Sequence, residues 1–336
     1  MTLRQPRRSP RGGLHGKVAY QCLRISEALE RTVRRRLVSM VDARFRSAVE
    51  RQYRRLGPPQ RLVLITSLPH PEHVRNPDVL RRLLLGSAQH LLESPAVHWR
   101  IVKNRHFLLD IDHPRVRILD VDFPSRLAGV ADRHFIYVDR GAKYFLAAQE
   151  LYREGQSDYV LFHDCDDVIH PSLLEILQYR EPGFVVRKGL VKDLTSGAFF
   201  ELDDFHRFCG SCHIFHSSVL FTTLVKEVSV FADSALIGKR RITVSLDTDW
   251  NLAAPAGLAQ IVRAIDPNYL RYILGDHGRK VLDLYAQLGI TFKPLDGGIT
   301  WQLNHGDNHG GAKTPASDPY LFGRLIPYQN TPAPQT

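Results

Sequence analysis

The chain has 336 residues and a formal net charge of +10, and 43% of its residues are hydrophobic. That is room for one large α/β domain or two small ones with a sizeable core. No run of about 18 apolar residues occurs, which argues against a membrane-spanning helix, and the arginine-rich start lacks the apolar stretch of a secretory signal. Four cysteines, Cys22, Cys165, Cys209 and Cys212, are too few for a disulfide framework and point to a reducing, cytoplasmic setting. The charge is uneven. Residues 1–60 carry 15 Lys and Arg against 4 Asp and Glu, while the remaining 276 carry 30 against 31. The body is therefore nearly neutral, and the broad basic face of a nucleic-acid enzyme is not expected.

In chain order, residues 1–16 mix arginine with proline and glycine, the composition of a disordered tail. Residues 17–56 turn helical, with Leu29, Val33, Leu37, Val38, Val41, Phe45 and Val49 at mostly three- and four-residue spacings and arginines on the other side. This arm of residues 1–57 reads either as a solvated helix packed on the body or as a basic amphipathic contact on the inner face of a membrane. Gly57-Pro58-Pro59 ends it.

From residue 58 to about 326 the pattern changes. Residues 61–67 form an apolar run ending in Thr66 and Ser67, as in a buried strand. A helix is expected at 76–92, a strand at 97–102 leading to Lys103-Asn104, a strand at 116–121 leading to Asp122, and a helix at 141–152. A fourth strand follows at 159–162. Strands alternating with helices predict a mostly parallel sheet with right-handed crossovers. Beyond it, short strands are expected at 183–186 and 198–202, another at 208–215, and helices at 218–228, 247–259 and 279–288. The tail from residue 327 is rich in proline and glutamine, as in disorder.

The chemistry concentrates where the fourth strand stops, at His163-Asp164-Cys165-Asp166-Asp167. If the strand alternation continues, Asp164 and Asp166 project from one side. Two carboxylates that close repel unless a positive charge sits between them, and a divalent cation with oxygen ligands is the usual answer. Pro171 then opens a helix, with His170 or Ser172 as cap. Carboxylates at the C-terminal end of a buried strand sit where ligands bind in open α/β sheets.

The stretch from Asp139-Arg140-Gly141-Ala142-Lys143 through the next helix and the apolar strand to Asp164-Cys165-Asp166-Asp167 resembles the nucleotide-sugar glycosyltransferases of the GT-A fold, family 2 in particular. The resemblance covers residues 60–180 well and runs more loosely to about 325. It implies an α/β fold with a mixed, mostly parallel sheet, made of a Rossmann-like nucleotide-binding half and an acceptor half. It also implies Mn²⁺ or Mg²⁺ held by Asp164 and Asp166, with Asp167 a weaker candidate. Thr66, Ser67 and Asp122 become donor contacts by position, and Arg140 and Lys143 phosphate or sugar contacts. The implied partners are a nucleotide-sugar donor and a glycan, lipid or polysaccharide acceptor. Lys103-Asn104 departs from the acidic residue usual after the second strand.

A catalytic base for the acceptor hydroxyl is offered by Asp276, between glycines at 275 and 278, or by Asp249 beside Trp250. Either aspartate would equally serve as a helix N-cap. The glycine-rich stretch 301–311, just after an expected strand, offers His305 and His309 as late metal ligands, or is a solvated loop. Cys209 and Cys212, with histidines at 206, 213 and 216, form a single C-x-x-C that fits a core strand better than a zinc site. Two other functions compete. One is a haloacid-dehalogenase-type phosphatase with Asp164 as nucleophile, although that family places the acidic strand first. The other is a non-catalytic adaptor that holds membrane or polyanion through its basic arm.

Overall fold

The computed structural model describes residues 47, 49–51, 54, 57–127, 132–225, 256–265, 270–275, 282, 285–286, 290–305, 314–315 and 317–328. The chain is a mixed α/β protein. Four strands come first: β1 (Arg61–Ser67), β2 (Val97–Asn104), β3 (Val116–Val121) and β4 (Asp158–His163). Between them lie helix α1 (Pro77–Ala88), which follows β1, and helix α2 (Asp132–Glu154), which leads into β4. These four strands are parallel, in spatial order β3-β2-β1-β4.

β1 and β4 are buried over their length and read as unbroken apolar runs because helices cover both faces. Leu62 and Leu64 of β1, with Tyr159 and Leu161 of β4, pack with Leu80 and Leu84 of α1. Val63 and Ile65, with Val160 and Phe162, pack with Phe135, Val138, Phe145 and Leu151 of α2. Alternation thus divides the strands between two cores, and register pairs like with like, Leu62 opposite Tyr159 and Val63 opposite Val160. The path from β1 to β3 moves outward in one direction, and the chain then crosses to β4 on the other side of β1. Right-handed crossovers running in opposite directions place their helices on opposite faces. The C-terminal ends of β1 and β4 therefore form a topological switch point, and in open α/β sheets ligands bind in the crevice expected where strand connections diverge.

The other half of the sheet is mixed. β5 (Val168–Ile169), β6 (Gly183–Asp193), β7 (Phe199–Asp203), β8 (His213–His216), β9 (Lys293–Leu303) and β10 (Ile326–Pro327) complete it. β8 lies antiparallel to β4, β6 antiparallel to β8, and the order ends β6-β7-β10. β9 runs parallel to β6 and also clamps β5, Val168 opposite Thr300. Gly297 and Gly298 both have φ +85, and β9 shifts register against β6 around them. Only glycine adopts two such residues in succession cheaply, and the kink lets one strand serve two partners.

Helix α2 starts nine residues before the predicted position and passes straight through Gly141. Glycine there answers packing, not a turn. A Cβ on Gly141 would lie 2.0 Å from the carbonyl oxygen of Leu270, and one on Gly275 would lie 1.9 Å from that of Tyr137. The two glycines let the π-helical turn Leu270–Gly275 cross α2 backbone to backbone. Two more helices are α3 (Ser217–Val225) and α4 (Ala256–Ala264), and Pro171–Gln178 is a 3-10 turn, with His170 at its N-cap and Pro171 at its first position. Of the predicted basic arm, residues 47, 49–51 and 54 are described; they are helical, and Val49 joins the core under α2.

Candidate active site

β4 ends at His163, and residues 164–167 form a tight turn closed by the Asp167 N–H donating to the Asp164 carbonyl at 3.1 Å. Strand alternation therefore does not carry through to Asp166, and the two carboxylates take separate partners. Asp164 continues the α2-facing series of Val160 and Phe162. Its Oδ1 accepts from Nη1 of Arg140 at 2.9 Å. Burial is the largest single influence on this guanidinium and would lower its pKa, but Asp164, Tyr144, Tyr137 and Asp166 together outweigh it and raise it. Asp166 Oδ2 lies 2.7 Å from Nε2 of His305, two residues past β9. The Asp164 and Asp166 side chains remain 27% and 21% exposed, while His305 is 3% exposed.

Asp167 turns inward. Its Oδ2 accepts from Ser211 Oγ at 2.6 Å and from Cys209 Sγ at 3.2 Å, while Oδ1 is buried with no hydrogen-bond partner. Burial, with the Asp166 and Asp164 charges beside it, pushes this carboxyl well above the usual carboxylate range. Ser211 Oγ also accepts from the Asp164 N–H at 2.8 Å, and Gln302 Nε2 donates to the Asp166 carbonyl at 2.8 Å. Residues from the β8 approach and from β9 thus hold the backbone of the acidic turn.

A buried relay holds it from behind. His163 Nε2 lies 2.8 Å from the Asp167 carbonyl, which only accepts, so Nε2 carries the proton and Nδ1 of the neutral ring accepts. Thr66 Oγ1, 2.7 Å from Nδ1, must then donate to it, and Oγ1 accepts from Trp99 Nε1 at 2.8 Å. The chain Trp99–Thr66–His163–Asp167 links β2, β1 and β4 to the turn. Thr66 is fully buried, and its hydroxyl both donates to His163 and accepts from Trp99 in this relay.

Lys143 is likewise inside. Its side chain has no exposed surface, and Nζ donates to Asp139 Oδ2 at 2.6 Å and to the Leu68 carbonyl at 2.7 Å. The ammonium ties α2 to the exit of β1, and a phosphate could reach it only by breaking a buried ion pair. Ser67 lies half-buried at the mouth of β1. Asp122 is paired with Arg105 at 2.9 Å and lies 3.9 Å from His106, at the exit of β3. Asn104 is buried, its amide donating to the Phe123 carbonyl and accepting from the His106 N–H. The candidate bases Asp249 and Asp276, and His309, lie outside the described residues, as do most of the helices expected at 247–259 and 279–288.

Cys209 and Cys212 are buried free thiols in the turn leading into β8, and burial pushes both thiols up. Among the described residues no group of three or more His, Cys, Asp and Glu side chains converges as a metal cage. No described helix is long and apolar enough to cross a membrane.

No family model matches the sequence, and no curated protein matches it. Among solved structures the chain is similar to one titled "PaToxG Glycosyltransferase", at 13% identity over 78% of this chain and 90% of that one, with a TM-score of 0.26. A likeness that weak carries no argument about this chain, and the functional reading rests on the site itself.

Sequence reasoning missed Ser211, Gln302 and the Thr66–His163 relay. Serine, glutamine and threonine carry no local signal of such roles, since their partners lie 44, 136 and 97 residues away.

Proposed function

We propose that the chain is a glycosyltransferase that moves a sugar from a nucleoside diphosphate to a hydroxyl acceptor. One observation carries the reading: two partly exposed carboxylates, Asp164 and Asp166, stand at the switch point between β1 and β4 with the Arg140 guanidinium beside them. Oppositely charged groups gathered at that crevice suit a ligand that brings both phosphates and a cation. The donor set is all hard oxygen, which fits Mg²⁺ or Mn²⁺. Mg²⁺-type sites use one or two carboxylates and take the other oxygens from substrate phosphates and water. Asp164 and Asp166 would hold the ion, and when bound it supplies charge neutralisation for the departing diphosphate.

The chain's own residues do the rest. Ser211, Gln302 and His163 fix the turn so that the carboxylates need no reorganisation. Arg140, held on Asp164, is placed to donate to a diphosphate oxygen. The acceptor hydroxyl attacks the anomeric carbon, the bond to the diphosphate oxygen breaks with its electron pair, and the hydroxyl proton passes to a carboxylate, for which Asp276 and Asp249 are the candidates.

The test is a panel of nucleotide sugars, each with Mn²⁺ or Mg²⁺ and with chelator. The expected result is nucleoside diphosphate release together with metal-dependent thermal stabilisation. That stabilisation is about 2.7 kcal/mol at a hundredfold excess over Kd, roughly 4–5 °C for a chain of this size. Hydrolysis of a phosphomonoester without any response to nucleotide sugars would replace this reading with the phosphatase one.

A further inference from the structure

We propose that the groove between α1 and the end of β9 binds a phosphate group, and that it does so to receive a phosphorylated acceptor. The second half of that statement rests on the transferase reading above; the phosphate site does not. A cavity of about 400 Å³ opens there, lined by Val79, Arg82, Leu83, Leu194, Asn304 and His305. Its inner wall includes His305, whose Nε2 is 2.7 Å from Asp166 Oδ2, so the His305 ring alone separates a molecule filling the groove from the acidic turn. Arg140, by contrast, meets the same turn from α2, on the opposite face of the sheet. The acidic turn thus has two approaches, the crevice on the Arg140 side and this groove on the His305 side. A transferase needs two, one for each substrate.

The lining specifies the ligand. Arg82 is exposed and makes no ion pair or hydrogen bond among the described residues. The nearby acid in α1, Asp78, is taken by Arg81 at 2.7 Å. Arg82 is therefore a fork of donors without an anion, beside apolar surface from Val79, Leu83 and Leu194 that suits a sugar face or the first carbons of a chain. Val79 belongs to the first turn of the 12-residue α1, so the positive end of that helix flanks the groove. A doubly charged phosphate monoester gains from both the guanidinium and the helix end, more than a single carboxylate does. Asn304 is held in the left-handed conformation, φ 61, with its amide on Asp193 Oδ1 at 2.9 Å, which fixes the rim where β9 ends.

A soluble sugar phosphate and a lipid headgroup both present this group, and the test separates them using the full chain and its Arg82→Gln variant. Binding of glucose 6-phosphate and of glucose is measured by calorimetry, and vesicles of phosphatidylcholine with or without phosphatidic acid are used in sedimentation. For a soluble phosphate, glucose 6-phosphate binds, glucose does not, and Arg82→Gln weakens binding roughly 10- to 100-fold, as expected for loss of one charge-assisted contact. For a lipid phosphate, only the phosphatidic acid vesicles bind, and Arg82→Gln loses the same factor. If Arg82→Gln leaves every probe unchanged, or if glucose binds as well as its phosphate, the site does not exist. Arg82-dependent binding without sugar transfer would sink the transferase reading and leave this site standing, and transfer without Arg82-dependent binding would do the reverse.

Discussion

His216 gives the sharpest quantitative test of the packing that brings β8 against β4. It is fully buried, opposite Tyr159 in the sheet, with Nε2 3.1 Å from Ser157 Oγ and Nδ1 2.7 Å from Ser218 Oγ. Burial lowers its pKa from 6.5 to about 4. The folded chain therefore holds the ring neutral at a pH where the unfolded chain has already protonated it. The stabilising contribution is complete above pH 6.5 and is lost as the pH falls toward 4, because the unfolded state binds the extra proton. A gap of about 2.5 units corresponds to about 3 kcal/mol in all, of which roughly 2.5 kcal/mol is gone by pH 4.5. Gln at this position keeps an amide for the two hydroxyls and cannot titrate. Urea unfolding of the wild type and of His216→Gln at pH 7.5 and 4.5 isolates the effect from every other titrating group. The wild type should lose about 2.5 kcal/mol more than the variant between those two pH values. If the two losses agree within about 0.5 kcal/mol, the ring is not the buried neutral group described here.

Other expectations follow from the same geometry. Gly141→Ala forces a methyl into the Leu270 carbonyl and should cost about 3 kcal/mol, seen as a fall in Tm of roughly 4–6 °C; an unchanged Tm would mean that α2 and the 270–275 turn do not cross so closely. Ser211→Ala strips a partner from both the Asp164 N–H and Asp167 Oδ2, at about 2–4 kcal/mol, measurable by urea unfolding. Asp164→Asn should keep the fold while lowering nucleotide-sugar turnover about 100-fold or more and abolishing metal-dependent thermal stabilisation. Retained stabilisation in that variant would move the cation elsewhere. Lys143→Met leaves Asp139 buried without its cation and should destabilise the chain by about 3–5 kcal/mol, read by thermal melting. If Lys143→Met melts like the wild type, the ammonium is not the tie between α2 and β1.

Much of the parallel half was legible in the residues. Arg61–Ser67 and Val116–Val121 have the expected bounds, but only the first is covered on both faces and apolar between its ends; the second lies at the sheet edge and exposes Arg117 and Asp120. Helix α1 and the approach to β4 follow from apolar spacing in the same way. Legibility failed where one residue answered a distant one. Gly141 opens the expected helix in sequence but serves a backbone crossing with Leu270, some 130 residues later. The strand expected just before residue 301 is β9, but it runs on to Leu303, and the kink at Gly297 and Gly298 that lets it pair with both β5 and β6 has no local signal.

The sequence by itself determined that three carboxylates close a buried strand, since the order of apolar and charged residues along a chain is a local property. Only the tertiary structure decided what each carboxylate is for. Arg140 claims Asp164, His305 claims Asp166, and Ser211 with Cys209 draws Asp167 inward, because ion pairing and burial depend on distances in space that no spacing along the chain records.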